Sequence, residues 1–313
     1  MGGLASDGVN VFVATGNTFN ATTWSGGEAI LSLSPRLVLN GTTNYWTPTN
    51  WSTLDSKDQD IGGSGPLLVN VPGATPSNLV VALGKDGNAY LLNRTNLGGI
   101  STPVAKLAVG SGSAIIQAAA TYLTTNGTHV VFANGGNLYA LLVSATSPPT
   151  LIKQWTAVEN GKGSPFVTST DGTNNVVVWG IGTQSSQRLY GFDGNTGATV
   201  FAGGGTNELM ANTRNYNTGI VARGRIYVAG DNQVYAFSLP GTGQNIILGA
   251  GFTNGTFQIA FSGPVGPNYE LQVSPDLMVW TSISTNTPAT SPFVLVDPSP
   301  PGPARFYRVA QEP

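Results

Sequence analysis

Residues Asn78 to Gly99 read NLVVALGKDGNAYLLNRTNLGG. An apolar run, Leu79 to Leu83, meets the polar turn Gly84-Lys85-Asp86-Gly87-Asn88, and a second apolar run, Ala89 to Leu92, leads to a Gly-terminated bend. Two β-rich runs about an Asp-Gly turn predict a hairpin. The chain then repeats it. Val130-Val131-Phe132 leads through Gly135-Gly136-Asn137 to Leu138-Tyr139-Ala140-Leu141. Val176 to Trp179 leads to Arg188 to Phe192, and Ile226-Tyr227-Val228 leads through Gly230-Asp231-Asn232 to Val234 to Phe237. Tyr90, Tyr139, Tyr190 and Tyr235 stand at the same place in each copy. A period of roughly 50 residues predicts a propeller or a comparable array.

Each hairpin follows a Gly/Ser-led apolar segment: Gly2 to Ala5, Gly65 to Val69, Gly112 to Ile116, Gly163 to Val167 and Thr218 to Val221. Small residues at that point suit the innermost strand of a blade, where neighbours crowd a central channel. A fourth run follows each hairpin: Leu37-Val38-Leu39, Val104 to Val109, Leu151 to Trp155, Thr199-Val200-Phe201 and Ile246-Ile247-Leu248. The fold expected is therefore all-β, a propeller of four-stranded blades with five visible, over residues 1–248. After Leu248 the texture changes to alternating runs, Thr256 to Phe261, Tyr269 to Val273 and Phe293 to Val296. Residues 249–313 read as a small β-sandwich with Trp280 and Phe306 in its core.

Of the 313 residues, 42 are Gly and 20 Pro, and no helical periodicity persists, which fits an all-β chain with many tight turns. Charged residues make up 9 % and the net charge is -2, so there is no basic field for nucleic acid or an anionic membrane. No apolar run is long enough to cross a bilayer as a helix. With no cysteine and one histidine, His129, read as an edge-strand residue, a zinc site and Ser-His or Cys-His nucleophile systems are disfavoured. No signal peptide is visible, and the abrupt opening is read as that of a fragment whose earlier blades and export signal lie upstream.

Two insertions interrupt the first repeat, Gly16 to Gly27 and Gly41 to Gly63, the latter with Trp46, Trp51, Asp55, Asp58 and Asp60. In a propeller both emerge above the channel, as functional loops or as an apolar plug. The three aspartates read as a solvated acidic loop, with calcium ligation as the sharper alternative. Asp60 and Glu28 would serve acid–base hydrolysis only if they lay close together. Asn20, Asn40, Asn50, Asn93, Asn126 and Asn254 begin Asn-x-Ser/Thr triplets, as expected in so Asn- and Thr-rich a chain.

The stretch Gly84 to Arg94, GKDGNAYLLNR, is similar to the Lys-x-Gly-x-x-Tyr-x-Leu-Asp-Arg stretch of the pyrroloquinoline-quinone (PQQ) repeat propellers, the quinoprotein alcohol dehydrogenase-like family, with Asn93 in place of the Asp. Thr15-Gly16-Asn17 resembles the family's Thr-Gly-Asn. The resemblance implies cofactor contact by Lys85 and Asn17 and calcium ligation by Asn17; Asp58 and Asp60, from the acidic loop, would complete a calcium site only by approaching Asn17. The family's adjacent-cysteine pair has no counterpart, and Ser25 to Ala29 stands where its Gly-Asp-Asn is expected. The C-terminal run, with Tyr269-x-Leu271-Gln272, Asp276-Leu277-x-x-Trp280 and Arg305-Phe306-Tyr307-Arg308-Val309, resembles a small β-domain that ends many large secreted Verrucomicrobia and Planctomycetes proteins. The function expected is an exported scaffold or binding module, periplasmic, secreted or on the cell surface, with no catalytic residues. A protein or carbohydrate ligand would be presented on the loop-rich face. The alternative is a PQQ- and calcium-dependent dehydrogenase that oxidises an alcohol or sugar.

Overall fold

The apolar runs of the second repeat are hydrophobic at successive positions because both faces of its sheet are covered. The computed structural model describes residues 3–19, 21–39, 41–109, 114–238, 246–300 and 305–311. Gly2, Asn20, Asn40 and Gly112-Ser113 of the sequence analysis lie outside them. The chain divides into two compact units, Met1–Ala236 and Phe237–Pro313.

The first unit is a succession of antiparallel sheets. Blade I comprises β1 (Ala5–Ser6), β2 (Val11–Ala14), β3 (Ile30–Leu33) and β4 (Tyr45–Thr47). Blade II holds β5 (Leu67–Asn70), β6 (Asn78–Leu83) and β7 (Asn88–Asn93); β8 (Gly99–Ile100) leaves it to pair parallel with β4 of blade I, and β9 (Ala105–Ala108) closes it. Blade III is β10 (Ala120–Thr124), β11 (Gly127–Asn134), β12 (Asn137–Val143) and β13 (Leu151–Val158). Blade IV is β14 (Phe166–Thr168), β15 (Val177–Ile181), β16 (Leu189–Asp193) and β17 (Thr199–Phe201). Blade V has three strands among the described residues, β18 (Gly219–Ala222), β19 (Arg225–Gly230) and β20 (Gln233–Phe237).

The blades stack face to face, as strand alternation requires. Val80, Ala82, Tyr90 and Leu92 pack with Phe12, Ile30 and Trp46 of blade I. The intervening Leu79, Val81, Leu83, Ala89 and Leu91 pack with Val130, Phe132, Tyr139 and Leu141 of blade III. Val131, Ala133, Leu138 and Ala140 then meet Val178, Phe192 and Tyr190 of blade IV. Tyr90, Tyr139 and Tyr190 thus each face the preceding blade. Lys106 lies over Tyr90 and Lys153 over Tyr139, each 5.2 Å from the ring centre, so the outer strand is tied to the third in the same way twice.

Successive innermost strands β1, β5, β10 and β14 are neighbours, which makes this unit a propeller. Hydrogen bonds just before those strands join one blade to the next. Ser64 Oγ donates to the Gln117 carbonyl (2.8 Å), Ala118 N–H to Ser164 Oγ (3.2 Å), and Ser164 N–H to the Asn217 carbonyl (2.8 Å).

Several expectations need correction. Leu37 to Leu39 is an exposed segment outside any strand, and the outer strand of blade I is Tyr45–Thr47, drawn from the insertion. Trp46 at its centre is fully buried and donates from its indole to the Ser101 carbonyl (3.1 Å). His129 is on no edge: it lies buried in β11, between β10 and β12, stacked on Tyr122 at 4.9 Å.

The second unit has two three-stranded sheets. One is β21 (Ile246–Thr253), β22 (Thr256–Ser262) and β25 (Phe293–Asp297); the other places β23 (Tyr269–Ser274) between β24 (Thr281–Asn286) and β26 (Phe306–Gln311). Ile246 to Leu248 therefore opens a strand paired with β22, not the outer strand of a fifth blade. Ile259, Phe261 and Leu295 from one sheet meet Tyr269, Leu271, Tyr307 and Val309 from the other. Phe306 is exposed, because inward Tyr307 and Val309 set the parity of β26 and turn Phe306 and Arg308 out. Trp280 is half-buried on the flank, with the Arg308 guanidinium 4.3 Å above its ring.

Candidate functional site

The loops between second and third strands, and the connections from one blade to the next, emerge at the same end of an antiparallel blade. Between blades I and II they bring the predicted residues together. Gly16 lets the β2–β3 loop lie on the connection, since a Cβ there would stand 2.9 Å from the Asp60 carboxyl. Gly62 does the reverse: its Cβ would meet the Thr15 carbonyl carbon at 2.7 Å. Asn17 N–H donates to Asp60 Oδ1 (3.0 Å), and Lys85 reaches from the β6–β7 turn to pair with Asp60 Oδ2 and Asp58 Oδ1 (3.2 Å). The two carboxylates, Asp60 first, raise the Lys85 pKa above the ordinary lysine range, so the ammonium is charged at neutral pH.

Asp55 lies in the last turn of the short helix α1 (Trp51–Ser56) and is buried, accepting from the Thr18 N–H and from Thr18 Oγ1 (2.8 Å). The insertion is thus no solvated acidic loop as a whole. The Asp58 side chain is 73 % exposed, whereas that of Asp60 is 15 % exposed and Asp55 is sealed in. Beneath them Glu28 is fully buried and accepts from the Ile61 N–H (2.8 Å). Burial, with Asp60 and Asp55 nearby, pushes its carboxyl up to about 7.

These residues do not fit a bound calcium. That ion needs six to eight oxygens. Asn17 Oδ1 is engaged by the Phe19 N–H (2.9 Å), Asp60 by Asn17 and Lys85, and Asp58 by Lys85. Among the described residues no group of three or more acidic, His or Cys side chains is arranged for a metal. Lys85, neutralised by two carboxylates, offers little to an anionic cofactor. Glu28 and Asp60 are close, as acid–base hydrolysis would need, but a fully buried Glu28 meets no substrate.

The junction between blades III and IV is built from the same loops without the carboxylates. A pocket of about 530 Å³ is lined by Gly135, Gly136 and Asn137 of the β11–β12 turn, Val158 to Lys162 (without Glu159) of the connection, and Thr183 to Ser185 of the next turn. Gly161 lies against Gly182, where a Cβ would come 2.3 Å from backbone carbon. Lys162 N–H donates to Thr183 Oγ1 (3.2 Å), and Glu159 and Asn160 N–H groups donate to the Gly136 carbonyl (2.9 and 3.1 Å). The lining is backbone, amide and hydroxyl, with the single cation Lys162. Below it Glu159 is buried, takes the Ile181 N–H on Oε1 (3.1 Å), and has Oε2 without a partner among the described residues. Burial drives its carboxyl up to about 8 against the opposing Ile181 and Gly163 backbone N–H groups. Sequence reasoning passed over this pocket; its only signal was glycine at three successive loops, Gly135-Gly136, Gly161 and Gly182.

No protein-family model matches the chain. No curated protein matches its sequence. Among solved structures it is similar to BamB from Moraxella catarrhalis, with TM-score 0.41 and 12 % identity over 83 % of this chain and 72 % of that one. It is similar also to the Swd1 (Cps50) β-propeller domain of Myceliophteria thermophila, with TM-score 0.38 and 12 % identity over 67 % and 61 %. A third likeness is to BBS1N, solved in complex with ARL6DN, with TM-score 0.38 and 13 % identity over 80 % and 71 %.

Proposed function

We propose that this protein is an exported, non-catalytic binding module that takes an extended protein segment at the loop-rich end of its propeller. The observation that carries the reading is the contrast between two equivalent junctions. At blades I and II the polar groups are consumed by one another, whereas at blades III and IV the same loops leave an open pocket. Its amides, hydroxyls and glycine backbone offer donors and acceptors of the kind a peptide main chain uses, and Lys162 favours one acidic residue in the ligand. The lining has no aromatic platform of the kind that would favour a sugar ring.

A peptide-display library and a panel of neutral oligosaccharides, each offered to the purified chain, test the reading. Saturable capture of extended, singly acidic peptides is expected. Ser185→Trp, which fills the pocket, and Lys162→Glu should abolish it. Capture of oligosaccharides alone would replace the ligand class, and peptide capture indifferent to both variants would refute the site. The second reading, a PQQ-dependent dehydrogenase, has in its favour that Asn17 and Lys85 converge on Asp60. Saturable PQQ and calcium binding lost in Lys85→Ala would promote it.

A further inference from the structure

Glu28 is too deeply buried to meet a substrate from outside, but it meets Asp60. Its Oε2 takes the N–H of Ile61 (2.8 Å), the residue next to Asp60, and its Oε1 has no donor among the described residues. An ionised carboxylate is poorly served there. Burial first, and then the Asp60 carboxylate to which it hydrogen-bonds, raise Glu28 to about 7. Glu28 therefore holds a proton close to Asp60 in a site that water does not reach.

The rest of the Asp60 carboxyl is equally engaged. Oδ1 takes the Asn17 N–H (3.0 Å), Oδ2 touches the Lys85 ammonium, and the main chains of Lys85 and Asp60 are joined as well (2.9 Å). Asp60 is largely enclosed, whereas Asp58, the second carboxylate on the ammonium (3.2 Å), lies out in solvent. The site thus holds an amine fixed against an acyl carbon and an N–H donor on the oxygen where charge would gather. It also holds a buried acid beside the carboxyl and an exposed carboxylate on the amine. A plain ion pair has no use for the buried acid.

We propose that Lys85 and Asp60 condense into a side-chain amide, an isopeptide bond that ties the connection leaving blade I to the turn of blade II. Nζ bonds to Asp60 Cγ, and the Cγ–Oδ2 bond breaks. Of the three ammonium protons one stays on the amide nitrogen and two leave with Oδ2 as water. The positive and negative charges cancel, nothing is oxidised or reduced, and no co-reactant enters. Asp58 takes a proton from the ammonium and frees the nitrogen lone pair. Glu28 gives its proton to Oδ2 and recovers one from the nitrogen, so both acids end as they began. The Asn17 N–H steadies the charge that develops on Oδ1. The raised Lys85 pKa makes the ion pair the resting form and the condensation slow. Fixed contact works against that, since well-oriented groups react at effective concentrations on the order of 10⁵ M or more. The bond lies at the junction of blades I and II and is independent of the ligand proposed above.

The test is the intact mass of the purified full chain, kept folded at neutral pH and sampled over days, followed by peptide mapping. A species lighter by one water is expected to grow in. Trypsin should then fail to cut after Lys85, and chymotrypsin, cutting within Leu67 to Leu83, should leave two peptides joined through Lys85 and Asp60. Lys85→Arg and Asp60→Ala should stay at full mass. Glu28→Gln, where circular dichroism shows it folded, should condense at least about tenfold more slowly. An Asp-Gly pair such as Asp86-Gly87 also loses water when it closes a ring on its own backbone, and the mapping separates the two products. A wild-type chain that keeps its full mass, a water loss that maps to an Asp-Gly pair, or one that persists in Lys85→Arg would each overturn the proposal. Condensation of folded Glu28→Gln at the wild-type rate would overturn the part given to Glu28.

Discussion

Lys85 is bound to Asp60 twice, through its ammonium on Oδ2 and through its backbone N–H on the Asp60 carbonyl (2.9 Å). The connection that leaves blade I is thereby pinned to the turn of blade II by main chain and side chain at once. Asp60 in turn holds Asn17 of the blade I loop. One aspartate thus joins three loops, and Gly16 and Gly62 make the room for it. A lysine and an asparagine whose motifs point to a cofactor here stitch blades together.

Removing either partner of this pair should weaken the propeller. Lys85→Met and Asp60→Asn are each expected to lower stability by about 1–2 kcal/mol, above an exposed pair because Asp60 is largely enclosed. Urea unfolding of the two single variants and the double variant measures the coupling. Strictly additive losses would show that the contact contributes nothing.

The buried glutamates give stability a sign with pH. Glu28 and Glu159 are raised from 4.5 to about 7 and about 8, so the folded state favours their protonated forms. Below pH 4.5 both are protonated folded or unfolded, and their contribution is complete. As pH rises from about 4.5 to 8 the unfolded chain loses these protons first, and stability falls. Glu159→Gln should therefore match the wild type near pH 4 and exceed it at pH 8.5 by a few kcal/mol, at about 1.4 kcal/mol per pKa unit. Thermal melts at the two pH values decide the matter, and a variant weaker at pH 8.5 would show a charged, stabilising Glu159.

What the sequence made legible was whatever repeats. The Asp-Gly and Gly-Gly turns and the recurrent tyrosine fixed the hairpins, because turn chemistry and face alternation are local. Blade I was misread at Leu37 to Leu39, since an exposed apolar triplet looks like a strand unless its partner is known. Trp46 sat inside what read as an insertion, and only its pairing with Ile30 and Gly99 reveals an outer strand. Phe306 failed for a related reason: in FYRV the aromatic pair leaves the inward parity undecided until β23 pairs with it. Loop topology puts Asn17, Asp60 and Lys85 at one end of the blades, but their contact and mutual saturation depend on distances no spacing encodes.

The corrected blade I has a direct test. Trp46→Ala empties a fully buried site between blades I and II and should cost about 3–5 kcal/mol. Leu37 is 67 % exposed at φ 57, so Leu37→Gly relieves a left-handed residue and should be neutral or slightly stabilising. If Leu37→Gly is the more damaging of the two, the outer strand belongs to Leu37 to Leu39 after all.

The pocket between blades III and IV rests on backbone approaching backbone, and two glycines there separate space from conformation. Gly161 has no room: a Cβ would stand 2.3 Å from the Gly182 Cα and carbonyl carbon and 2.4 Å from Thr183 N, all main chain. Gly135 has nothing within 4 Å but sits at φ 58, where an L-residue is strained. Gly135→Ala should then cost about 1 kcal/mol, the ordinary left-handed penalty, and leave the pocket intact. Gly161→Ala has to displace the turn carrying Thr183, Gln184 and Ser185, which forms one wall, so a loss of at least about 2 kcal/mol is expected. Hydrogen exchange should quicken at the Lys162 and Ser186 amides in Gly161→Ala alone, because their hydrogen bonds to Thr183 Oγ1 and to the Asn160 carbonyl across the same gap are pulled apart. Equal losses in the two variants, with exchange unchanged in both, would mean that the turns accommodate the methyl group and that the pocket wall is not set by this contact.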